Sequence, residues 1–179
     1  MNKEINNRRM ILAAMLLAIA YVLPFFTGQI QQIGNMLCPM HIPVLLCGFL
    51  CGGSWGLLVG LLAPLLRSVT LGMPLLFPTA ICMALELAAY GATSGMLYRR
   101  LPKKRGYLYA ALFIAMITGR IVWGIAMYVC MGLQDGSFGI SAFLAGAVTN
   151  AIPGIILQVI LVPVLVMILN RSHKMSEKE

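Results

Sequence analysis

Residues 35–71 read NMLCPMHIPVLLCGFLCGGSWGLLVGLLAPLLRSVTL, and the way this stretch divides decides the fold. It is nearly twice the roughly 20 residues that one helix needs to cross ~30 Å of hydrocarbon. Pro39, Pro43 and Pro64 interrupt it, and Cys51-Gly52-Gly53-Ser54 at its centre has the chemistry of a turn. The reading is therefore two short helices, 40–51 and 54–70, joined by the glycines. Charge supports the division. Eleven of the 13 basic residues fall in three groups outside the apolar runs: Lys3, Arg8 and Arg9; Arg99, Arg100, Lys103, Lys104 and Arg105; Arg171, Lys174 and Lys178. If all three are cytoplasmic, as the positive-inside rule expects, an even number of crossings separates each from the next. A single helix in 35–71 would place the central group outside.

Working outward, the 179 residues are 60% hydrophobic and 10% charged, against roughly 45–50% and about 25% in a soluble domain. A soluble globular enzyme is excluded. Further apolar runs occupy 10–26, 75–98, 107–131 and 150–170. The first follows a basic start and lacks an Ala-x-Ala cleavage pattern, which reads as a retained helix. The expected fold is a single all-α membrane domain over 1–179: six transmembrane helices with both termini cytoplasmic. The formal charge of +8 then has a location. The eleven bases against Glu4, Glu177 and Glu179 already sum to +8 on the cytoplasmic face, while Arg67, Arg120, Glu86 and Asp135 cancel. The charge orients the chain in a lipid bilayer and implies no nucleic-acid partner.

Arg67, Arg120 and Glu86 are left at membrane depth, where charged groups are costly and mark function by default. At 1.5 Å per residue both arginines belong to the outer half and Glu86 lies close to the midplane. Thr79, Cys82, Met83, Glu86 and Tyr90 share one stripe, and Arg120, Trp123, Gly124 and Met127 another. Facing stripes of this kind form an outward-opening pocket for a small, partly apolar ligand with an anionic or hydrogen-bonding end. Arg is suited to grip a carboxylate or phosphate bidentately. Alternatively, Glu86 forms a structural ion pair with Arg67 or Arg120, but one acid cannot neutralise both. Asn35, His41 and Asn150, on the outer side, complete the candidate contacts, and Tyr90 and Trp123 are equally readable as packing aromatics.

The five cysteines are odd in number and mostly lie in apolar runs, as small hydrophobes do. Cys38 and His41 have ligand-like spacing but no second pair to complete a metal site. No nucleophile, zinc-protease or nucleotide-binding motif is present, and a single intramembrane acid provides no catalytic pair. Neither enzyme activity nor a cofactor is expected. Small residues recur at every fourth position: Gly52, Gly56, Gly60 and Pro64; Gly91 and Gly95; Ala14 and Ala18. Such stripes allow close helix approach in lipid. The first two suit packing inside the bundle, and the third suits either internal packing or a partner protein.

Cys38-Pro-Met-His-Ile-Pro-Val44, the four-spaced glycines running to Ala63-Pro64-Leu65-Leu66-Arg67, Phe77-Pro78-Thr79 and Glu86-Leu-Ala-Ala-Tyr90-Gly91 together resemble the substrate-binding S components of energy-coupling factor (ECF) vitamin transporters. The resemblance covers essentially the whole chain. It implies capture of a vitamin-like small molecule at a prokaryotic plasma membrane, with pantothenate the nearest subfamily and hydroxymethylpyrimidine, pyridoxine-like and queuosine-precursor ligands left open. It also implies partnership with a transmembrane coupling subunit and two cytoplasmic ATPases, docking through Ala14 and Ala18, a gate at 24–39, and reorientation in the membrane to release ligand. The competing classes are an autonomous proton-coupled carrier using Glu86 and a structural subunit without ligand.

Overall fold

The computed structural model describes residues 2–27, 39–102, 104–133, 139, 143, 145–146 and 151–176. Among them are six α-helices and no strand: α1 (Asn2–Val22), α2 (His41–Cys51), α3 (Gly53–Leu71), α4 (Ile81–Arg100), α5 (Arg105–Gly132) and α6 (Ile152–Ser176). A 3-10 turn, Leu23–Thr27, extends α1, and a π turn, Leu76–Ala80, leads into α4. Five of these helical segments are long and apolar enough to cross a bilayer. The exception is α2, whose 11 residues rise roughly 16 Å, half a span. The chain is a multi-pass membrane protein whose stretch 35–71 divides at the glycines into one half-length and one full-length helix.

The division has a local cause. Gly52 takes φ +101°, a region that side chains disfavour, and its N–H donates to the carbonyls of Cys47 and Gly48 at 3.2 and 3.0 Å. A Cβ at Gly52 would also collide with the Arg99 guanidinium. Arg99 donates to the Cys51 carbonyl at 2.9 Å, satisfying an orphan acceptor and placing positive charge at the C-terminal end of α2. Pro64 lies buried within α3, where it withdraws one donor from the helix ladder without ending it.

The reversal returns α3 antiparallel along α4, and the two glycine stripes meet. A Cβ on Gly91 would run into the Gly56 backbone, one on Gly60 into the Leu87 carbonyl, and one on Gly95 into Gly53. Backbone-to-backbone contact of this closeness is possible only with hydrogen side chains. Across α4, Gly119 of α5 lies against the Tyr90 ring. The α6 helix packs mainly on α2, with Gly154, Gln158, Val162 and Val166 on its buried stripe.

Helix α1 turns Ala13, Leu16 and Ala20 inward. Ala14 and Ala18 are exposed, beside the exposed Met10, Ile11, Met15 and Ile19. Internal packing of that pair is therefore not what the fold uses. At its other end α1 is tied to α3, because Arg67 donates to the Tyr21 carbonyl at 2.9 Å and lies 4.9 Å above the Phe25 ring, while the Tyr21 and Thr70 hydroxyls are 2.9 Å apart.

Candidate functional site

The apolar composition makes any buried charge an exception that needs compensation, and the compensation is local. Glu86, on the second turn of α4, is 2% exposed. Its Oε1 lies 3.0 Å from an Arg120 terminal nitrogen, on α5, and 3.4 Å from His41 Nε2, on the first turn of α2. Tyr90, one turn below Glu86, is fully buried and meets the His41 ring edge-on, with centroids 5.1 Å apart and planes at 83°. Three helices thus converge on one carboxylate.

These residues can meet because of the glycine contacts. Gly119 lets α5 approach Tyr90 closely, which brings the next residue, Arg120, level with Glu86. The half-length α2 begins at the depth of Glu86 and ends at Arg99, so its first residue, His41, enters the interior. A histidine at the end of a full-length span would instead sit near the interface.

One layer further out, Cys82, Ala126 and Cys130 form an apolar cluster covered by Phe77, Trp123 and Met127. Trp123 stacks on Phe143 at 6.2 Å and 29°. Half-buried Thr79 lies in the π turn above. The arrangement is a buried polar floor of Glu86, Arg120, His41 and Tyr90 beneath an aromatic layer. It can hold a small molecule by hydrogen bonds and charge at one end and apolar contact at the other.

Of the sequence candidates, then, the structure brings Glu86, Arg120, His41 and Tyr90 together and places Trp123 and Thr79 above them. Arg67 is elsewhere, committed to Tyr21 and Phe25. Asn35 and Asn150 lie outside the described residues, as do Cys38, the rest of residues 28–38 and most of 139–148. Cys47, Cys51, Cys82 and Cys130 are free and buried, and no group of three metal-ligating side chains occurs among the described residues.

Sequence reasoning missed Gln158. It is 1% exposed on the stripe of α6 that faces α2, and neither side-chain polar atom has a hydrogen-bond partner among the described residues. The signal was available: Gln158 is the one polar side chain in the apolar run from 151 to 169, and an amide there costs free energy unless something satisfies it.

A family model described as "ECF transporter, substrate-specific component" matches residues 8–166. Comparison with curated proteins and with solved structures gives no match.

Proposed function

The chain belongs to the family of ECF transporter substrate-specific components, and from that premise we propose that it is the high-affinity capture subunit of an importer for a vitamin or related micronutrient. The observation that carries this reading is the buried Glu86–Arg120–His41 cluster beneath aromatic side chains, in a bundle otherwise made for lipid. In the proposed orientation both termini and the 99–105 loop face the cytoplasm of a prokaryotic cell, and ligand enters from outside. The family is a transporter component rather than an enzyme class, and nucleotide hydrolysis belongs to partners: a transmembrane coupling subunit and two cytoplasmic ATPases. The exposed face at Ala14 and Ala18 suits docking on the coupling subunit, since small side chains let a second helix approach.

The test is identification, by mass spectrometry, of small molecules that co-purify with the detergent-solubilised protein, followed by binding to a panel headed by pantothenate and including hydroxymethylpyrimidine and pyridoxine. Tight binding of one compound, lost in Arg120→Ala, and uptake only when the coupling module is co-expressed are expected. Protein that carries nothing and binds no panel member overturns the reading. Uptake without ATPase partners, abolished by Glu86→Gln while binding persists, would instead establish a proton-coupled carrier.

A further inference from the structure

The buried cluster has a charge count and a hydrogen-bond count, and each restricts the ligand. Glu86 and Arg120 cancel at 3.0 Å. Arg67, the other arginine of the outer half, is committed to the Tyr21 carbonyl and the Phe25 ring. Residues 28–38 and 134–150 contain no Lys or Arg, and Asp135 is their single charged side chain. No second positive group is therefore available from the outer segments. The arithmetic that favoured an anion, one acid against two arginines, does not hold once the helices are packed.

The hydrogen-bond count concerns both ring nitrogens of His41, Gln158 Nε2 and Gln158 Oε1, which are buried with no hydrogen-bond partner among the described residues. Leaving such atoms unsatisfied costs free energy, and native structures seldom do so. An imidazole ring carries two nitrogens, both capable of hydrogen bonding, and those of His41 lie enclosed beside Glu86. Gln158 offers one donor group and one acceptor. It lies on the stripe of α6 that packs on α2, the helix that begins at His41. A carboxylate has only acceptor atoms, so it would leave Gln158 Oε1 unsatisfied and meet the like charge of Glu86. An amide, lactam or aminoheterocycle has both kinds.

Resting on the capture reading above, we propose that the ligand held by His41, Glu86, Arg120 and Gln158 carries no net charge and presents adjacent hydrogen-bond donor and acceptor atoms. Gln158 sets the specificity for that edge.

The experiment uses the full chain in detergent. The compound extracted from it is identified by mass spectrometry, and binding is measured for two matched pairs, nicotinamide with nicotinate and pantothenol with pantothenate. An uncharged extracted compound with an amide or amino-heterocyclic edge is expected, and the uncharged member of each pair binds more tightly. An extracted anion, or an acid that outbinds its uncharged partner, overturns the proposal and leaves the capture reading standing. Absence of any extracted or bound compound removes both. Gln158→Leu is expected to weaken binding of the extracted compound about tenfold or more, the loss of one good hydrogen bond. Its thermal stability holds or rises, because two unsatisfied buried atoms are gone. Unchanged affinity in that variant refutes the role of Gln158, and a lower melting temperature shows the amide to be structural.

Discussion

The Glu86–Arg120 pair makes a prediction that its two exposures quantify. Glu86 is 2% exposed and Arg120 15%. Replacing Arg120 with Gln leaves a carboxylate enclosed in a bundle of apolar helices, and removing one partner of a buried pair costs roughly 3–5 kcal/mol. Replacing Glu86 with Gln instead takes from the arginine the carboxylate 3.0 Å from it. That side chain already reaches partial exposure, and its long stem can carry the charge outward, so the cost is about 1–3 kcal/mol. With both changed, two neutral amides can hydrogen-bond to each other, and no charge is left unpaired. The double variant is expected to recover about 2–3 kcal/mol relative to the sum of the singles, a coupling typical of residues in direct contact. The measurement is thermal unfolding of purified protein in one detergent, following tryptophan fluorescence. At roughly 2–4 °C per kcal/mol for a chain of this size, Arg120→Gln lowers the midpoint by roughly 10 °C, Glu86→Gln by less, and the double variant by less than Arg120→Gln alone. A double variant as unstable as the two losses combined would show that the charges do not compensate each other. Equal losses in the two singles would refute the inference drawn from their unequal burial.

Gly91→Ala places a methyl group against the Gly56 backbone, which cannot rotate away; a loss of about 1–3 kcal/mol is expected, seen as a lower unfolding midpoint. Gly132→Ala, where nothing lies within 4 Å of the added carbon, is neutral or slightly stabilising and serves as its control. Arg67→Met removes the bond to the Tyr21 carbonyl and the contact with Phe25. It should lower stability by about 1–3 kcal/mol while ligand affinity, measured by calorimetry, stays within about twofold of the parent, since a two-fold change is under 0.5 kcal/mol; a tenfold loss would place Arg67 in the site. The pair Ala14→Leu with Ala18→Leu changes only exposed positions and should leave folding and ligand binding intact while abolishing co-purification with the coupling subunit. Retained co-purification would rule out docking through that face.

Much of this architecture was legible because membrane proteins write their constraints locally. The break at Gly52 follows from turn chemistry, and in the structure Gly52 stands between α2 and α3. The small-residue stripes of α3 and α4 could be paired with each other because close approach needs hydrogen side chains on both sides. The same reasoning could not orient α1, whose alanines occur on more than one face: Ala13 and Ala20 turn inward, Ala14 and Ala18 outward. The site was half legible. Rarity of charge in lipid singled out Glu86, Arg120 and Arg67, but also led to all three being weighed as one group, and uncharged Gln158 was passed over.

By itself the sequence determined that this chain lives in a membrane, where its apolar stretches lie and which charged side chains those stretches carry. Those follow from hydropathy, helix rise and bilayer thickness, all properties of contiguous residues. Only the tertiary structure decided which charge meets which. Arg120 and His41 reach Glu86, and Arg67 reaches an α1 carbonyl 46 residues away in the chain. Those pairings depend on how far each helix is rotated and how deeply it starts. Contacts at Gly56, Gly91 and Gly119 and the half-length of α2 set both, and neither is a property of any single segment.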